Sequence, residues 1–156
     1  MAKKILAIIG AIVIVGIIVL GVTTCGVMKI ADDWVKEKEP ELRQYVQMNE
    51  QEQNAYVEKH MDELFRRIDA YAESHRENST QEERNKWAKF ESDSDAKSAG
   101  IQLGRAIVAA LVMASEPITN ELSSADKEKY QNESEQIENR TEIYTSFLEK
   151  FGLSKK

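Results

Sequence analysis

The stretch Ile5–Met28, ILAIIGAIVIVGIIVLGVTTCGVM, holds 24 consecutive residues without a charge. At about 1.5 Å per residue, a helix of that length measures roughly 36 Å, enough to cross a hydrocarbon core of about 30 Å. The fold is therefore expected to be all-α: one N-terminal transmembrane helix followed by an antiparallel bundle of about four helices. The expected division is a cytoplasmic stub at 1–4, a signal anchor at 5–28, a juxtamembrane helical segment at 29–48 and an acidic helical bundle at 49–156.

An uncleaved anchor is preferred to a cleaved secretory peptide. The apolar run exceeds the roughly 7 to 15 residues of a signal-peptide core, and no Ala-x-Ala site follows it. Val22-Thr23-Thr24-Cys25 resembles a bacterial lipobox, which would make Cys25 a lipidation site. It departs from that pattern in carrying Thr24 where Gly, Ala or Ser is usual, and the apolar run continues past the cysteine. The other reading of Cys25 is a small apolar residue facing lipid or a partner helix.

Lys3 and Lys4 before the run predict a cytoplasmic N-terminus and an extracytoplasmic C-terminal domain, as for a bacterial inner-membrane protein. Lys29, Lys36, Lys38 and Arg43 on the far side pull the other way. Trp34 suits either a membrane-interface anchor or a core position. Within the run, Gly10, Gly16, Gly21 and Gly26 lack the four-residue step of a helix-dimer motif.

Charge separates the two parts. Of the 21 basic residues only Lys3, Lys4 and Lys29 precede Ile30, leaving 18 against 27 acidic, a net charge of −9. Such a domain repels phosphate backbones, so nucleic acid is excluded as a partner. The expected partners are the lipid bilayer and a protein or membrane complex, and no feature supports a homo-oligomer. Cys25 is the single cysteine, so no internal disulfide forms.

After residue 30 the pattern is helical, with two prolines, Pro40 and Pro117, and few glycines. Asn49, Thr80 and Ser123 are each followed three residues later by an acid, as in a capping box, and seven residues later by an aromatic. Val57, Met61, Leu64, Phe65, Ile68, Tyr71 and Ala72 predict one long amphipathic helix. A shorter helix carrying Trp87 and Phe90 follows, then a polar loop at Glu91–Asp95. Ala96–Ser115 is apolar nearly all round and is expected at the bundle centre. There Gly100 and Gly104, four apart, permit close helix packing. Gln102 and Arg105 interrupt the approach to its uninterrupted apolar part, Ala106–Ala114, which is too short to span a bilayer. A last helix is expected from Ser123 or Ser124 to Phe151, stopped by Gly152, with a thin apolar stripe between Tyr130 and Ile143.

The search for chemistry finds neither a His-Glu-x-x-His nor a Glu-x-x-His pair, and no phosphate loop or nucleotide fingerprint. His60 and His75 are fifteen residues apart on one helix, about 22 Å by rise, and cannot share a metal. His60 with Glu63 is read as a solvated pair. Asn78, Asn132 and Asn139 head glycosylation triplets and are read as caps and surface. Catalytic residues, cofactors and metals are expected to be none. The expected function is a non-enzymatic, membrane-tethered helical interaction module, an accessory subunit or sensor. The alternative is a lysis or membrane-remodelling factor, since layout and length, rather than any motif, resemble phage spanins or holins.

Overall fold

The computed structural model of the chain describes residues 24–75 and 81–153. Among the described residues every regular element is helical: α1 Thr24–Lys38, a 3-10 turn Glu39–Glu41, α2 Leu42–Gln47, α3 Glu50–His75, α4 Gln81–Ser92, α5 Ser94–Ala114, α6 Glu116–Glu121, α7 Ser124–Ser134 and α8 Ile137–Lys150. The expected membrane span lies outside the described residues except for its last five, 24–28, which open α1. Cys25 falls there, with its side chain outside the description, and the Thr80 cap is likewise outside.

Two of the three expected caps are formed. Asn49 Oδ1 accepts from Glu52 N–H at 2.8 Å while Glu52 Oε1 accepts from Asn49 N–H at 3.1 Å, a reciprocal capping box at the start of α3. Ser123 Oγ accepts from Asp126 N–H at 3.1 Å at the start of α7. The α3 stripe Val57, Met61, Leu64 and Ile68 is buried, steps of four, three and four keeping one face inward.

The core centres on α5. All residues from Leu103 to Val112 are buried, because α3, α7 and α8 pack around the helix and α4 and α6 close on it. Among the described residues α5 is the one helix long and apolar enough to cross a membrane by length and composition, counting all 21 residues. Covering elements put 61% of its most apolar window inside the protein, which accounts for the apolar circumference without lipid.

Gly104 and Gly100 meet different neighbours. A Cβ at Gly104 would overlap Val57 Cγ1 and approach Met61 Cγ to 2.6 Å, so α5 and α3 touch through this glycine. At Gly100 a Cβ would meet only the Tyr144 ring edge of α8, at 3.2 Å. Gly104→Val is expected to lower stability by about 2 to 3 kcal/mol, since the β-branched Val57 cannot swing away. Gly100→Ala should stay within about 1 kcal/mol, helix propensity offsetting a small ring shift. Urea unfolding of both variants followed by circular dichroism checks the contrast.

The 29–48 segment, expected as a juxtamembrane helical segment, contributes Ala31, Trp34, Leu42 and Tyr45 to the core cluster. Two expectations about layout change. The loop at Glu91–Asp95 shrinks to Asp93, whose carboxylate caps α5 by accepting from Ala96 N–H at 2.9 Å. The last helix is broken at Glu135–Gln136 into α7 and α8, with Glu135 N–H and Gln136 N–H closing on Gln131 and Glu133 carbonyls. Gly152 ends α8 at φ 73°, and Leu153 N–H reaches back to Leu148 O at 2.8 Å in a Schellman closure.

Candidate functional site

A cluster of titratable groups around buried Lys38 and His60 lies where α1 and the 3-10 turn meet α3. Ala31, Trp34, Val35 and Lys38 share one face of α1 and are all buried. Trp34 is therefore a core residue, the second of the two places its sequence context allows. Its indole Nε1–H donates to the His60 carbonyl at 3.1 Å, pinning α1 to α3. Pro40 stands in the first positions of the 3-10 turn, where its missing N–H costs nothing, and the turn carries Glu41 back over His60.

His60 is 8% exposed, so it is not a solvated partner of Glu63. Its ring sits against Tyr56 with centroids 4.1 Å apart, and Tyr56 in turn rests on Tyr45 at 5.4 Å. His60 Nδ1 lies 3.6 Å from Glu63 Oε2 and Nε2 lies 3.9 Å from Glu41 Oε1, both beyond hydrogen-bond reach. Nδ1 and the Tyr56 hydroxyl are buried without a hydrogen-bond partner. Lys38, almost wholly buried, holds its ammonium 3.6 Å from Glu41 and 3.4 Å from Glu63. Arg67 completes the cluster at 2.8 Å from Glu63 and 2.6 Å from Glu37.

Burial, and then the Lys38 charge, hold the His60 imidazole below its ordinary pKa although Glu41 and Glu63 favour the proton. Burial also pushes the Tyr56 hydroxyl above its ordinary value, helped by Glu41. Burial works against ionisation of Glu63, but Lys38 and Arg67 outweigh it and keep its carboxyl below the usual range. Counting Lys38, Arg67, Glu37, Glu41 and Glu63 as charged leaves one net negative charge with neutral His60 and none with His60 protonated.

A second polar cluster crosses the core. Arg105, 7% exposed in the middle of apolar α5, donates from Nη1 to Asn54 Oδ1 at 2.6 Å and from Nε to Glu133 Oε1 at 3.1 Å. Arg140 donates to the same Glu133 oxygen at 3.0 Å and to Gln102 O at 2.9 Å. Nearby, buried Gln53 donates to Tyr45 O and to the Tyr130 hydroxyl, both at 3.0 Å, tying α2, α3 and α7 together.

Sequence reasoning identified His60 and Glu63 as neighbours and Arg105 as an interruption, and missed Lys38, Glu41, Asn54, Glu133 and Arg140 as their partners. The available signal was a basic residue inside an otherwise apolar helix, which has to find an acid somewhere in the fold. Among the described residues no group of three or more His, Cys, Asp and Glu side chains is placed to hold a metal ion. Asn132 and Asn139 are exposed on α7 and α8. Set against protein-family models, curated proteins and solved structures, the chain matches none of them.

Proposed function

We propose that the chain is a membrane-tethered helical interaction module, an accessory subunit or sensor of a membrane complex, with its acidic bundle facing a protein partner on the extracytoplasmic side. The observation that carries this reading is the continuity of α1. Described from Thr24, in the last five residues of the apolar run Ile5–Met28, the helix continues without a break to Lys38, where Trp34 locks it to α3. A helical connection between the end of that run and the body sets the body's distance and orientation, as a subunit docking on a neighbour requires and a loose linker does not provide. The net charge of −9 beyond residue 30 supports a basic or mixed protein surface as partner over nucleic acid.

Three measurements on the full chain test this. Alkaline carbonate extraction is expected to leave it in the membrane pellet, and a reporter enzyme fused after Lys156 is expected to be active outside the cytoplasm. Mild detergent extraction should bring a membrane protein with it in fixed proportion. Release into the carbonate supernatant would overturn the tether, and rapid dye leakage from vesicles on adding the chain would replace the module with the membrane-remodelling reading.

A further inference from the structure

Lys38, Glu41, His60 and Glu63 alternate around one covered point between α1, the 3-10 turn and α3. Each carboxylate offers one oxygen to Lys38, at 3.6 Å from Glu41 and 3.4 Å from Glu63, and the other to a ring nitrogen of His60, at 3.9 Å and 3.6 Å. Both acids are therefore already shared with a cation before His60 takes a proton. The same residue is the seat of the Trp34 indole bond, made to its carbonyl, and its ring is covered on one side by Tyr56. The joint between α1 and α3 thus passes over a neutral histidine that has no hydrogen bond at Nδ1.

We infer that this cluster is an acid-operated release, in which proton uptake by His60 loosens α1 from α3 while the core around α5 stays packed. A second cation there shares both acids with Lys38, and the oxygens that face the buried ring, at 3.9 Å and 3.6 Å, stand beyond hydrogen-bond reach of its nitrogens. Hydrating the imidazolium requires α1 and the 3-10 turn to lift. The charged groups around the ring are Lys38 from α1, Glu41 from the turn, and Lys59 and Glu63 from α3 itself. The lysines repel the proton and the acids attract it. Burial adds to the repelling side, so the folded imidazole titrates below its ordinary 6.5.

The sign follows from linkage. The opened state binds the proton more tightly, so the closed joint has its full stability above about 6.5 and loses it as pH falls toward the depressed folded value. Each pH unit between those two values multiplies the open population at most tenfold, by about one pKa unit per factor of ten. Glu63 titrates lower and plays no part in this window. The release belongs to the α1–α3 joint and operates whether or not the apolar run lies in a bilayer.

The test uses the full chain in detergent micelles with Trp87→Phe, which leaves Trp34 as the single indole. Between pH 7.5 and 5.5, Trp34 emission should shift red and the amide protection factors of residues 31–38, which take out the slower intrinsic exchange at lower pH, should fall by up to about tenfold per depressed pKa unit, with those of residues 106–112 unchanged. His60→Gln should abolish both responses, and Lys38→Met, which hands both acids to His60, should shrink or reverse them. A response that persists in His60→Gln, or one shared by residues 106–112, would overturn the inference. If neither variant folds, the NMR titration of His60 in the otherwise unchanged chain decides: a pKa below 6.5 supports the release and one above it refutes it.

Discussion

Replacing Trp34 by alanine is expected to cost the fold about 3 to 5 kcal/mol, the range for emptying a buried indole site in a close-packed core. The ring is fully buried with Ala31, Val35 and the α3 stripe around it, and its N–H is bonded to the His60 carbonyl at 3.1 Å. Trp34→Phe retains most of the apolar volume and loses only that hydrogen bond, so it should cost about 1 kcal/mol, with a small further term for imperfect fit. Denaturant unfolding of the full chain, followed by circular dichroism at constant detergent, measures both. The comparison also separates the two roles open to this residue. An interface anchor would change how the chain sits in a bilayer and leave the bundle's midpoint where it was. A shift of the midpoint by the larger amount places α1 within the cooperative unit.

The second large effect is expected at Glu133. Its Oε1 accepts from both Arg105 and Arg140, and Arg105 is almost wholly buried. Glu133→Gln leaves the Arg105 guanidinium in the core with Asn54 as its remaining hydrogen-bond partner and the exposed Glu50 carboxylate 4.0 Å away. Stranding a buried charge costs about 3 to 5 kcal/mol where no other group helps, and Asn54 together with the partial exposure of Glu133 reduces this to about 2 to 4 kcal/mol. Arg105→Met removes the buried charge itself and leaves Glu133 paired with Arg140. It should cost less than half as much as Glu133→Gln, an inequality that a simple count of lost ion pairs does not produce.

The same site sets an acid limit distinct from that of His60. Burial opposes ionisation of Glu133, but hydrogen bonds from Arg140 and Arg105 outweigh it and keep the carboxyl below its ordinary 4.5. A depressed carboxylate contributes stability that is complete above about 4.5 and disappears as pH falls through the folded value. Stability in the unsubstituted chain should therefore decline in two stages, from about 6.5 downward through His60 and below about 4.5 through Glu133 and Glu63. Glu133→Gln should flatten part of the lower stage and leave the upper one intact.

Legibility differed residue by residue. Val57, Met61, Leu64 and Ile68 reveal the α3 face because helical periodicity is local, and the Asn49–Glu52 box and Gly152 mark helix ends through groups only a few residues apart. The break at Glu135–Gln136 has no such mark, since neither residue is a breaker and the turn is closed by ordinary backbone bonds. Glu133 reads as solvated surface until α7 is laid over α5, and Lys38 reads as a juxtamembrane charge until α1 is laid over α3. Trp34 and His60 are 26 positions apart, and Arg105 and Asn54 are 51 apart. Nothing in the spacing of either pair foretells a contact.

An all-helical chain with an acidic body, its most apolar helix inward and its caps in place, follows from composition, periodicity and short-range capping, because each of these acts within one or two turns. Which charge faces which was left to packing. The burial of His60 and Lys38, the sharing of Glu133 by two arginines, and the different neighbours of Gly100 and Gly104 arise only when helices distant in the chain are pressed together. Ion pairs and van der Waals overlap depend on separation in space, and the order of residues along the chain does not specify it.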